Sequence, residues 1–151
     1  MTVKKPLTVY WDANAFLTLL KKEAGYIDCE QVVEAAERGE IKIVTSAISL
    51  IEVIKLKSRT PMTEADEELI RAYFESSYIT VHSVDRSMAE SARNLIWKYG
   101  VEPKDAIHVA TALTMVVDEM HTADKKLLGL NGQDGLLIVK PGLREPELPS
   151  I

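Results

Sequence analysis

A short apolar run that ends on an acid and leads directly into a helical pattern constrains this fold most. Residues 7–11 read Leu-Thr-Val-Tyr-Trp, a run rich in β-branched and aromatic side chains and too short for an ordinary helix, so we predict a buried strand. Asp12 then stands at the carboxyl end of that strand, the edge where ligands bind in open α/β sheets. Burying a carboxylate there costs hydration free energy unless hydrogen bonds, a cation or a metal compensate for that cost.

Similar β-favouring runs alternate with helical patterns along the rest of the chain. We predict strands over residues 7–11, 41–45, 79–82, 119–122 and 136–139, and helices over residues 15–22, 28–38, from 46 or 49 to about 57, 63–76, 85–99, 103–117 and 123–128. This alternation predicts an α/β fold, a three-layer α/β/α sandwich with a mainly parallel central sheet. The third of these helices should be well buried, because apolar residues cover most of its circumference.

Length and composition limit the possible classes of protein. A chain of 151 residues can bury one sizeable core, so we expect one domain over residues 1–151, with residues 141–151 as a surface tail. It has no apolar run near the roughly 20 residues of a membrane helix and no signal-peptide pattern, so we expect no membrane partner and a cytoplasmic location. The single cysteine, Cys29, excludes an intramolecular disulfide and a cysteine-based zinc cluster. The net charge of −5 argues against a general nucleic-acid-coating protein, but not against a nucleic-acid enzyme.

Four acids occupy comparable places in the predicted fold. Asp12, Asp105 and Asp124 lie at strand-to-helix junctions or in a first helical turn, and Glu52 lies one to two turns into a helix that follows a strand. Each aspartate alone is explained equally well as a helix cap, whereas Glu52 lies among apolar residues and needs a partner. These positions converge on one edge of a parallel sheet, where carboxylates repel one another. A hard divalent cation, Mg²⁺ or Mn²⁺, would relieve that repulsion and could activate water for phosphodiester cleavage.

Other polar residues near these acids give weaker signals. Asn14 could bond the Asp12 carboxylate or simply form a local turn. The three histidines are scattered, which argues against a zinc site, and His108 is better explained as a satisfied core histidine than as a site residue, although it lies one turn from Asp105. Five lysines near the acids could follow a nucleic-acid backbone, or could serve only solvation: Lys55, Lys57, Lys104, Lys125 and Lys126.

The segments around the four acids resemble those of the PIN-domain ribonucleases, with the VapC-like toxins of bacterial and archaeal toxin–antitoxin pairs closest in length. The matching segments are Asp12-Ala13-Asn14, Glu52 after a buried strand, residues 103–113 (Pro-Lys-Asp-Ala-Ile-His-Val-Ala-Thr-Ala-Leu) and residues 122–127 (Thr-Ala-Asp-Lys-Lys-Leu). They follow in the right order over nearly the whole chain. Ala13 stands where the family often has Thr or Ser, but all four acidic positions are filled.

The resemblance implies a Mg²⁺- or Mn²⁺-dependent endoribonuclease. Asp12, Glu52, Asp105 and Asp124 would be the metal ligands, and Asn14 and Thr122 would support them. It also implies RNA as the substrate, a homodimer, and inhibition by a small antitoxin protein.

Two other classes stay open at this point. One is a PIN-fold module that binds RNA or a protein without cutting, which would show affinity but no metal-dependent turnover. The other is a different acid-centred α/β protein. A haloacid-dehalogenase-type phosphatase needs Asp-x-Asp after its first strand, where this chain has Asn14, and a receiver domain needs an acidic pair that is missing at Asp12.

Overall fold

The computed structural model describes residues 5–54 and 63–144. Within them, five strands form one parallel sheet in the order β3-β2-β1-β4-β5. The strands are β1 (Leu7–Trp11), β2 (Ile41–Ser46), β3 (Ile79–His82), β4 (Glu119–His121) and β5 (Ile138–Val139). The helices are α1 (Ala13–Lys21), α2 (Tyr26–Glu37), α3 (Ser49–Glu52), α4 (Glu64–Glu75), α5 (Arg86–Tyr99), α6 (Pro103–Thr114) and α7 (Lys125–Leu128).

The strand order reverses at the centre of the sheet. The chain runs outward from β1 through β2 to β3, then returns to place β4 on the other side of β1. The gap between β1 and β4 is therefore the topological switch point, where open α/β sheets bind ligands. Trp11 of β1 pairs with His121 of β4, so Asp12 and Thr122 follow directly at this point.

Helices cover both faces of the sheet, which confirms the predicted α/β/α sandwich. Val9, Trp11 and Ile43 belong to a core shared with α1, α2 and α4. The alternate strand residues, such as Tyr10 and Val44, belong to a second core shared with α5 and α6. Both faces of the central strands are buried, as expected for a parallel sheet between helix layers.

The helix starts follow local capping signals. Thr63 and Asp66 form a reciprocal capping box at the start of α4, and Asp85 accepts from the Met88 amide at the start of α5. These bonds satisfy amides that have no partner inside the helix. Gly100 ends α5 in a left-handed conformation. Helix α1 has Lys22 as its C-cap, and Gly25 lies at the start of α2.

The prediction of a well-buried helix after β2 is wrong. Helix α3 ends at Glu52, and Leu50, Ile51 and Ile54 are 46%, 69% and 51% exposed. Ser49 and Val53 are buried, whereas Leu50 and Ile54 border an open cavity beside α4 and β3. The predicted continuation to residue 57 lies outside the described residues, as does the tail from residue 145 onward.

Membrane insertion has no support in the described helices. Within residues 5–54 and 63–144, none combines the length and the apolar character needed to span a bilayer.

Candidate active site

Asp12 lies at the switch point with its carboxylate buried. Its side chain is 4% exposed. Its Oδ1 accepts a hydrogen bond from the Ala15 amide at 3.0 Å, which caps α1, and its Oδ2 accepts one from the Thr122 hydroxyl at 2.6 Å. Burial, with a smaller contribution from the charge of Asp124, raises the pKa of Asp12 to about 6 against these two bonds and the charge of His108. Capping and ligand binding are compatible, because each carboxylate oxygen keeps a second acceptor site.

Thr122 links Asp12 to Asp124. Its hydroxyl donates to Asp12 and accepts a hydrogen bond from the Asp124 amide at 3.0 Å. Asp124 itself caps the short helix α7 through the Lys126 amide, 2.9 Å from Oδ1. One buried hydroxyl therefore fixes the strand-end acid relative to the helix-start acid.

Glu52 reaches the same edge through a contact with His108. Its Oε1 lies 2.7 Å from His108 Nε2, and the other ring nitrogen, Nδ1, lies 2.6 Å from the Tyr10 hydroxyl. The Glu52 carboxylate can only accept a hydrogen bond, so Nε2 of His108 carries the ring proton and donates to it. In the neutral ring, Nδ1 then accepts a hydrogen bond from the Tyr10 hydroxyl. Burial, followed by the charge of Asp12, raises the pKa of Tyr10 well above its ordinary range, so this hydroxyl keeps the proton that the bond needs.

Asp105 lies in the first turn of α6 and is half-buried. Burial raises its pKa, and the charge of Asp124 raises it next, while His108 opposes both; Glu102 and Glu52 add smaller increases. These electrostatic couplings place Asp105 near Asp124 and Glu52. Among the described residues, no group donates a hydrogen bond to the Asp105 carboxylate.

The remaining predicted residues lie at the edge of this group or outside the described chain. Asn14 is exposed on α1, and both bonds of the Asp12 carboxylate come from other residues. Lys104, Lys125 and Lys126 are exposed, and Lys126 pairs with Glu102 at 3.4 Å. Lys55 and Lys57 lie outside the described residues.

Sequence reasoning missed two contributors to the site, Tyr10 and Glu102. Tyr10 was predicted only as part of a strand. His108 is buried, as predicted for a core histidine, but it also contacts the site, and together with Tyr10 it orients Glu52. Glu102, an exposed acid whose charge acts on Asp105, was also missed. The one available signal was the spacing of His108, one helical turn after Asp105.

The four acids offer the type of donor atom that a hard divalent cation binds. It consists of carboxylate oxygens, the ligands that Mg²⁺ and Mn²⁺ prefer, and no lysine or arginine within residues 5–54 and 63–144 pairs with any of the four acids. As the side chains stand, however, this part of the chain has no group of three or more His, Cys, Asp or Glu that could hold one ion. Binding would therefore need a side-chain adjustment, for which Asp105 is the least restrained acid.

A family model and several solved structures match this chain. The family model described as the PIN domain matches residues 9–131, a range that includes all four acids. No protein of curated function matches the chain.

Several solved structures share the fold at low sequence identity. Mycobacterium tuberculosis VapC20, a toxin that cleaves the sarcin–ricin loop, superposes with a TM-score of 0.66 at 15% identity, over 80% of this chain and 93% of that one. A toxin–antitoxin complex from Klebsiella pneumoniae gives 0.64 at 23% identity, over 88% and 97%. VapBC2 from Rickettsia felis, bound to promoter DNA, gives 0.64 at 14% identity, over 87% and 97%.

Proposed function

Because the chain belongs to the PIN-domain family, we propose that it is a Mg²⁺- or Mn²⁺-dependent endoribonuclease that hydrolyses RNA phosphodiester bonds. The observation that supports the proposal is that Asp12 lies at the switch point bonded to Thr122, with the charge of Asp124 acting on both Asp12 and Asp105. Burial and mutual repulsion raise the pKa of Asp12 and Asp105. A bound cation would relieve this repulsion. Acids with strongly shifted pKa values are also characteristic of functional sites.

Each residue has a distinct role in this proposal. The four acids would hold the cation, which when bound supplies a Lewis acid and an activated water. Thr122 holds the Asp12 carboxylate in place, and the Tyr10–His108 pair holds Glu52. Such supporting hydrogen bonds typically change metal affinity or activity by about 10–100-fold. Lys104, Lys125 and Lys126 would contact the RNA backbone at the rim, with Lys55 as a further candidate.

We further propose that the protein is the toxin of a toxin–antitoxin pair. Two of the structures that share its fold are toxin–antitoxin complexes from bacteria, which supports an antitoxin protein as partner. A homodimer acting in the cytoplasm completes the proposal, on the basis of the family resemblance.

A cleavage assay tests the nuclease. Purified protein, free of any co-purified inhibitor, is incubated with mixed RNA and Mg²⁺, Mn²⁺ or EDTA. We expect metal-dependent cleavage that Asp105→Asn reduces by roughly a thousandfold, because several kcal/mol of transition-state stabilisation depend on the metal. Glu68→Gln is the matched control, since it removes an exposed acid on α4 and should leave cleavage within about threefold. Equal rates for wild type and Asp105→Asn would contradict the proposal.

The second candidate function is a non-catalytic PIN-fold module that binds RNA or a protein. The observation that favours it is the lack, among the described residues, of three side chains grouped for one ion. It predicts RNA or protein affinity that EDTA does not change, and no cleavage by a folded, metal-loaded protein.

A further inference from the structure

A second buried histidine lies on the other face of the sheet, away from His108. His121 is the last residue of β4 and is fully buried. Its Nδ1 lies 3.1 Å from the Trp11 indole nitrogen, and its Nε2 lies 2.5 Å from Glu119 Oε1. Trp11 and His121 are partners in the β1–β4 ladder, so this side-chain bond joins the same two strands as their backbones.

The partners of His121 determine where its proton lies. An indole N–H can only donate, so Nδ1 accepts, and the ring proton is on Nε2, from which it points to Glu119. The Trp11 carbonyl is fixed as well, because it accepts a hydrogen bond from the Thr45 hydroxyl at 2.7 Å. The strand residue that precedes Asp12 is therefore held through both its side chain and its backbone.

Arg144 holds the far end of this network. Its Nε lies 3.3 Å from Glu119 Oε2, and Glu119 is 5% exposed. Burial raises the pKa of Glu119, but the His121 hydrogen bond and the Arg144 charge outweigh it, so the pKa lies below its ordinary value. The acceptor of the His121 proton is thus a carboxylate stabilised by a residue that follows the last strand.

We propose that His121 and Glu119, with Arg144, are positioning residues for the carboxylate site. The hydrogen-bonded network Trp11–His121–Glu119 fixes β1 against β4 at the ladder position before Asp12 and Thr122, whose 2.6 Å bond needs the two strand ends in register. This inference rests on the proposed function only where it concerns metal affinity. The register of Asp12 and Thr122 in the metal-free protein is independent of it.

The test uses Trp11→Phe, which removes the indole donor and keeps most of the apolar ring. The control is Val32→Ala, which makes a cavity in the same core at a residue that forms none of the network's hydrogen bonds. Three quantities are measured on each folded protein: the ¹⁵N shifts of the His121 ring nitrogens by long-range ¹H–¹⁵N spectra, hydrogen exchange of the Ala15 amide without metal, and Mn²⁺ affinity. The Ala15 amide reports Asp12 directly, because it donates to that carboxylate.

We expect Trp11→Phe to change the ¹⁵N shift of His121 Nδ1, which loses its indole donor while Nε2 keeps its proton beside Glu119. It should also speed Ala15 exchange about tenfold and weaken Mn²⁺ binding about tenfold, within the range of supporting hydrogen bonds around metals. Val32→Ala should lower the melting temperature but leave the other quantities within about twofold. If Trp11→Phe does not fold, Glu119→Met, which removes the acceptor of the His121 Nε2 proton, is used with the Ala15 exchange and Mn²⁺ criteria. The inference is overturned if the network variant keeps wild-type exchange, or if Val32→Ala changes it equally. A wild type that binds no Mn²⁺ would instead overturn the proposed function, and Ala15 exchange would still decide this inference.

Discussion

Asp12 and Asp105 belong to the same group of acids but are held in opposite ways. Asp12 is buried, accepts two hydrogen bonds and has a pKa raised to about 6. Asp105 is half-buried at the start of a helix, and no donor among the described residues restrains it. The β1–β4 side of the site is therefore fixed before any ligand arrives, while the α6 side can still adjust. The free-energy cost of burying negative charge therefore falls mainly on Asp12, the acid whose position is fixed.

Replacing Asp12 should have the largest effect on activity and the opposite effect on stability. We expect Asp12→Asn to reduce cleavage by roughly a thousandfold through loss of the metal site. Without metal at pH 7, it should raise the free energy of unfolding by up to about 3 kcal/mol, because an ionised buried acid is removed. Cleavage rates and urea unfolding in EDTA measure both effects. A destabilised Asp12→Asn would show that the Asp12 bonds outweigh its burial.

The pH dependence of stability should separate the two acids. Because the folded-state pKa of Asp12 is about 6, above its ordinary value, the unfolded state ionises first as pH rises. The loss of stability caused by burying ionised Asp12 is absent below about pH 4 and complete above about pH 6, where it reaches about 3 kcal/mol. Wild type in EDTA should therefore lose stability relative to Asp12→Asn between these values. Asp105→Asn, at a half-buried position, should differ from wild type less. Parallel stability curves for wild type and Asp12→Asn would contradict this expectation.

Loosening Glu52 should have the next largest effect. His108→Gln keeps a hydrogen-bond donor but removes the rigid imidazole ring that joins Tyr10 to Glu52. We expect a 10–100-fold loss of cleavage or metal affinity, as for other residues that orient metal ligands. Tyr10→Phe removes only the hydroxyl and should lose less. Metal titration of both variants decides the matter, and wild-type affinity for His108→Gln would mean that Glu52 needs no orientation.

The sequence predicted those parts of the site that depend on local pattern. Asp12 and Asp124 follow strands, and their capping positions are encoded within a few residues. The contacts between Tyr10, His108 and Glu52 could not be predicted, because they join residues 98 and 56 positions apart and depend on how α6 packs on the sheet. The exposure of Ile51 was missed for a related reason. Apolar periodicity indicates a buried helix only if neighbouring elements surround it, and α3 meets them on one side.

The smallest expected effect tests the link across the fixed half of the site. Thr122→Val removes the hydroxyl that donates to Asp12 and accepts from the Asp124 amide, leaving two buried groups without a partner. We expect a loss of about 1–2 kcal/mol in stability and a further rise in the pKa of Asp12, since one of the bonds that lowers it is lost. Thr122→Ser keeps the hydroxyl and should restore metal affinity, which Thr122→Val lowers about tenfold. Wild-type metal affinity for Thr122→Val together with a loss for Thr122→Ser would show that the methyl group matters more than the hydrogen bonds. The rigidity of the β1–β4 half would then come from packing.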